Sequence, residues 1–146
     1  MKAERSAEIR RGKKAVWELM NDPSRLPDWF EDVDDFKALE GDGRAVGDKY
    51  RLKYTKYHRP LGLQIRVIEV EQQELFVQRF TGLLAPFTLA VALSGGGRKT
   101  TIDAIVDVKL SLLQKPFIPL VHGYVNQLTE DLTGNFKTYI EEGGER

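Results

Sequence analysis

A chain of 146 residues with 22 Lys and Arg against 22 Asp and Glu carries no formal net charge, so bulk electrostatics favour no polyanion and no nucleic-acid partner is expected. The absence of cysteine removes disulfides, thiolate nucleophiles and Cys-based metal sites, and suits a reducing compartment, for which the cytoplasm is the expectation. The length fits one domain, residues 1–146, large enough to bury roughly two thirds of the surface its unfolded chain exposes.

Met1 to Arg11 is densely charged and lacks the apolar run of a signal peptide. Arg79, Arg98, Asp103, Asp107 and Lys109 interrupt every stretch that approaches the roughly 20 apolar residues of a spanning helix, so no transmembrane segment is expected and peripheral contact is the limit. Lys2 to Ile9 alternates Ala3, Ala7 and Ile9 with Glu4, Ser6 and Glu8 and reads as a first strand. Lys13 to Asn21 places Val16, Trp17, Leu19 and Met20 at helical spacing until Asp22-Pro23 stops it. Ser24 is the expected N-cap of a further turn or two through Leu26 and Trp29.

From Asp32 the period changes to that of strands. Val33, Phe36 and Leu39 lead to the Gly41-Asp42-Gly43 turn. Between Asp48 and His58 the residues Tyr50, Leu52 and Tyr54 alternate with Lys49, Arg51 and Lys53, which places the tyrosines inward on a half-buried strand. Leu61, Leu63, Ile65 and Val67 alternate in the next strand, which runs to about Glu71, and the phase then switches at Ile68 and Val70, predicting a bulge near Val67. Leu75 to Leu83 is a strand with Phe76, Gln78 and Phe80 on one face and Leu75, Val77 and Arg79 on the other; its inner face is open on sequence grounds. Pro86 to Leu93 and Lys99 to Leu113 flank Ser94-Gly95-Gly96-Gly97 as a hairpin, the second arm turning Ile102, Ala104, Val106, Val108 and Leu110 inward. Phe117 to Glu141 then forms a long helix. At about 100° per residue, Phe117, Val121, Val125, Leu128, Leu132, Phe136 and Tyr139 share one stripe, and Asn126, Glu130, Lys137 and Glu141 lie opposite.

This order of elements, with Val16-Trp17, Asp22, Leu26-Pro27-Asp28-Trp29, Val33, Gly41 and Val46-Gly47, resembles the polyketide cyclase/dehydrase and lipid transport family of the START/Bet v 1-like (SRPBCC) superfamily. The resemblance spans almost the whole chain. It implies an α+β helix-grip fold: a curved antiparallel sheet of about seven strands wrapped round the long C-terminal helix, two short helices after the first strand, and an internal cavity for a hydrophobic ligand. One departure is Gly12-Lys13-Lys14 before the Val-Trp pair, where such sequences often carry a capping Ser or Asp and acidic residues. Lysines in a first helical turn oppose the helix dipole by a few tenths of a kcal/mol, on the order of the surface effects known for such charges.

Within that frame the expected ligand is a small hydrophobic molecule such as a lipid, a polyketide or an aromatic or isoprenoid compound, bound between sheet and helix. Tyr50, Tyr54 and Gln78 are the polar groups expected to orient it. Leu52, Phe76, Phe80, Phe87, Leu89, Val91, Val121, Val125 and Leu128 are its expected walls, with Leu132, Phe136 and Tyr139 anchoring the far half of the helix. Trp17 reads as core, and Trp29 as core or as an edge of the cavity mouth. Arg79 would meet an anion if its strand were reversed, and surface placement is the expectation. His58, near Lys56 at the end of the tyrosine strand, is the nearest thing to a general acid or base, and no second catalytic partner is identifiable. His122 is expected at the surface or at a helix edge, and Asp103 and Asp107 toward water. With two histidines far apart, neither a metal site nor a cofactor is expected. The alternatives to a binding protein are a cyclase or dehydratase using the same cavity, and a peripheral interaction module in which Lys13-Lys14 and the Lys49 to Lys56 surface meet an acidic partner.

Overall fold

A computed structural model describes residues 2–56, 59–82, 86–109 and 118–142. Seven strands, β1 (Lys2–Ile9), β2 (Val33–Glu40), β3 (Lys49–Lys56), β4 (Arg59–Glu71), β5 (Leu75–Thr81), β6 (Phe87–Gly96) and β7 (Lys99–Val108), form one antiparallel sheet in the order β1-β7-β6-β5-β4-β3-β2. Between β1 and β2 lie α1 (Lys13–Met20), a 3-10 turn (Pro23–Arg25) and α2 (Leu26–Trp29); α3 (Ile118–Glu141) ends the described chain. This is the α+β helix-grip architecture, with helices gathered on one face of the sheet.

Alternation decides which residues the sheet turns toward the helices. Tyr50, Leu52 and Tyr54 of β3 are buried while Arg51 and Lys53 are exposed. Ile102, Ala104, Val106 and Val108 of β7 are likewise buried. In β4 the register slips between Val67 and Glu69. Ile68 is the extra residue and stays 44% exposed, and Val70 returns to pack on the core, as a bulge requires. The phase of β5, open in the sequence, is set with Phe76, Gln78 and Phe80 inside and Arg79 exposed.

Two local expectations are corrected. Ser24 is not an N-cap: it sits inside the 3-10 turn, and its hydroxyl donates to Asp22 Oδ1 at 2.5 Å, with Pro23 supplying the first turn's fixed φ. The glycine-rich hairpin turns one step later than Ser94 to Gly97, because Gly96 still pairs with Lys99 and the two-residue turn is Gly97-Arg98, with Gly97 at φ +70°. Helix α1 starts at Gly12 without a side-chain cap or an acidic first turn.

The core runs from Ile9 and Val106 through Val16, Trp17 and Leu19 to Phe76, Ile65 and Tyr50, with Trp17 and Phe76 edge to face at 6.2 Å. Helix α3 buries Val125, Leu128, Thr129, Thr133, Phe136 and Ile140. Thr129 and Thr133 fit this apolar stripe because each hydroxyl donates to a backbone carbonyl one turn back, Val125 O at 2.7 Å and Thr129 O at 3.0 Å. Along its edge α3 is joined to β1. Lys137 Nζ donates to Glu8 O at 2.5 Å, the Arg10 amide donates to Glu141 Oε2 at 2.9 Å, and Arg11 Nη2 donates to Glu141 O at 2.6 Å. The Arg10 amide and guanidinium, with Lys137 beside them, hold the Glu141 carboxyl below its usual range. A comparable clasp closes the 41–48 loop, where Asp48 Oδ2 accepts from Ala45 N at 3.1 Å and Gly43 N at 3.2 Å, lowering the Asp48 pKa.

Candidate functional site

Helix α3 comes close to the sheet at β1 and β7 and touches α2, and stands away from the concave face of β3 to β6. A curved sheet and a straight helix cannot be in contact along their whole length. The gap is a cavity of about 100 Å³. Its floor is Leu52, Tyr54 and Leu63 of β3 and β4, with Phe76, Gln78 and Phe80 of β5. Phe87, Leu89 and Val91 of β6 and Ile102 and Ala104 of β7 continue that surface, Phe80 and Phe87 stacking at 4.7 Å. The roof is Leu128, Leu132, Thr133 and Phe136 of α3. Leu19, Met20, Asp22, Pro23, Leu26, Trp29, Phe30 and Val33 close the side between α1 and β2.

Ten of the expected site residues therefore share this wall: Trp29, Leu52, Tyr54, Phe76, Gln78, Phe80, Phe87, Leu89, Val91 and Leu128. Tyr50 and Val125 are buried and lie off it. His58 falls outside the described residues, as does the side chain of Val121. His122 is exposed, its Nδ1 3.0 Å from Asn126 Nδ2. The expected division of α3 is corrected, since Leu132 and Phe136 reach the cavity and Val125 does not: the helix is anchored by its edge contact with β1, and its middle turns face the gap. Of the side wall from α1 to β2, Trp29 is expected at the cavity and Leu19, Met20, Leu26, Phe30 and Val33 are not, although the spacing of Leu26 and Trp29 one turn apart places both on one face.

Asp22, Trp29, Tyr54, Gln78 and Thr133 bring polar groups to this surface, and Tyr50 stands behind Gln78. The hydroxyl of Tyr50, fully buried, donates to Gln78 Oε1. Burial pushes that phenol far above its ordinary pKa, so it stays protonated and acts as a donor. Gln78 is 8% exposed and its Nε2 has no acceptor among the described residues. Trp29 meets Phe136 edge to face at 5.2 Å and Phe30 at 5.9 Å, and its indole Nε1 is buried with no partner among the described residues. Thr133 is satisfied within α3, and the carboxylate of Asp22 accepts from Ser24 at the α1 corner. At the outer rim Arg25 Nη2 donates to Tyr139 Oη at 3.1 Å, its guanidinium 5.8 Å from the ring centre, and links the 3-10 turn to α3. Among the described residues no cluster of His, Asp or Glu is placed to hold a metal ion, and no helix is long and apolar enough to cross a membrane.

A family model described as polyketide cyclase / dehydrase and lipid transport matches residues 1–141. A START superfamily protein from Mycobacterium smegmatis has a similar structure, with a TM-score of 0.79 at 15% identity and 97% of each chain covered. Norcoclaurine synthase from Thalictrum flavum, solved with dopamine and hydroxybenzaldehyde, is similar at a TM-score of 0.75 and 14% identity over 98% of this chain and 87% of that one. The di-domain ARO/CYC BexL from the BE-7585A biosynthetic pathway is similar at a TM-score of 0.84 and 11% identity, 97% of this chain corresponding to 46% of that one. No curated protein matches the sequence. At these identities the likeness to solved structures is one of fold, the START/Bet v 1-like fold.

Proposed function

From the premise that the chain belongs to the polyketide cyclase / dehydrase and lipid transport family, we propose that it binds a small hydrophobic molecule in the cavity between α3 and the concave face of β3 to β6. The observation that carries this reading is a space between sheet and helix walled almost wholly by apolar side chains, chiefly Leu, Val, Phe, Met and Trp. An empty apolar cavity destabilises a fold by about 24 cal/mol per Å³, so a protein that keeps one forgoes stability that a ligand restores. Apolar burial at about 25 cal/mol per Å² supplies the affinity. Drug-sized sites run to roughly 300–1,000 Å³. The cavity of about 100 Å³ suits a compact ligand, and a longer one requires the α3 roof to lift.

Carriage or sequestration is favoured over catalysis by the pairing of the polar groups. Tyr50 is held protonated behind Gln78, and a neutral amide moves no proton. The expected locale remains the cytoplasm. The test is organic extraction of the protein purified from its native host, followed by mass spectrometry. Recovery of a stoichiometric hydrophobic compound that raises the melting temperature of the stripped protein supports binding; an empty extract, with no shift on soaking across lipid and aromatic libraries, overturns it.

A further inference from the structure

We infer that the cavity selects a neutral hydrophobic ligand bearing an acceptor oxygen of the ketone, ester or quinone kind, recognised by the Gln78 Nε2 amide; this rests on the cavity being the ligand site. The Gln78 amide brings to the wall a donor in want of an acceptor. A buried Tyr50 hydroxyl needs an acceptor and takes Gln78 Oε1, which fixes the amide so that its nitrogen is the end left for the cavity. Turning the amide round would strand the Tyr50 proton. Gln78 Nε2 is therefore an N–H on the wall without an acceptor among the described residues. Leaving such a group unpaired costs roughly 1–3 kcal/mol, which a ligand oxygen recovers and a hydrocarbon does not.

Two further features narrow the class. An amide N–H accepts nothing, so a ligand hydroxyl that meets it contributes its oxygen and must place its own proton elsewhere. The acidic side chain among the described residues of the wall is Asp22, which disfavours a carboxylate or phosphate entering this space. An unpaired buried donor discriminates against an analogue lacking the oxygen.

The experiment uses acetophenone, its carbon isostere α-methylstyrene, and benzoate. Dissociation constants are measured by NMR titration for the wild type and Tyr50→Phe/Gln78→Leu, in which no hydroxyl is stranded. The expected result is that the acetophenone to α-methylstyrene affinity ratio falls by about tenfold in the double variant, corresponding to one hydrogen bond. The infrared carbonyl stretch of labelled acetophenone bound to the wild type should lie below its value in hexane, a reading that needs no variant to fold. Benzoate should compete at least tenfold more weakly than acetophenone. An unshifted stretch, an unchanged ratio or tight benzoate binding overturns the inference while leaving the cavity a ligand site. Failure of all three compounds to bind overturns both.

Discussion

The C-terminal half of α3 and the concave face of β3 to β6 bound the same interior, and they are built in opposite ways. Where α3 meets β1 the interior is filled by Ile140, which has no exposed surface, and the edge is fastened by Lys137, Arg10, Arg11 and Glu141. Where α3 faces β3 to β6, Leu128, Leu132 and Phe136 look across open space. One helix thus serves as fixed beam and as roof. The difference teaches that the cavity does not come from weak packing in general: the chain spends its polar contacts holding α3 at one edge, so that the other side can stay apart from the sheet.

The largest expected effect sets the two regions against each other with the same kind of truncation. Ile140→Ala in the filled region should lose about 3–4 kcal/mol, and Leu128→Ala on the cavity wall about 2 kcal/mol, because a side chain bordering empty space gives up fewer contacts. Urea unfolding of both variants measures this, and equal losses would break the comparison. Next comes Tyr50→Phe, which leaves Gln78 Oε1 buried without its donor and should cost about 1–2 kcal/mol by the same measurement. Ala104→Leu pushes three further carbons into the cavity. It should raise stability by about 1 kcal/mol and abolish ligand binding, whereas a comparable enlargement in the filled region would destabilise.

The smallest effect concerns the fastened edge. Glu141 has its pKa lowered in the folded state, mainly by the Arg10 amide, so it stabilises the fold fully above its unfolded value of 4.5, and that contribution is lost as pH falls through the lower folded value. Glu141→Gln should therefore cost less than about 1 kcal/mol at pH 7 and flatten the acid side of the stability profile. A variant whose acid limb matches the wild type would show that the clasp does not help hold α3.

Much of this arrangement was legible because strands advertise their inner face. Tyr50, Leu52 and Tyr54 alternate with charged neighbours, and the phase change after Val67 marked the bulge. The face of β5 was illegible because Phe76, Gln78 and Phe80 oppose Leu75, Val77 and Arg79 with two apolar residues and one polar on each side. What decides it is Tyr50, on a different strand, whose hydroxyl requires the Gln78 oxygen. Of the α2 wall the short helix through Leu26 and Trp29 was legible, and only Trp29 as a cavity edge, since four residues are too few to show which face turns inward. The roles of Val125 and Phe136 were assigned the wrong way round because a stripe says which residues face inward and nothing about whether they meet packing or a void.

The sheet also never closes, and β2 lies at its open border. That strand breaks register twice, between Val33 and Asp35 and between Ala38 and Glu40, and carries exposed Asp34, Asp35, Lys37 and Glu40. A border so uneven and charged is a poor template for a strand from a neighbouring molecule. Antiparallel or parallel addition of a neighbouring strand at this border is thereby disfavoured.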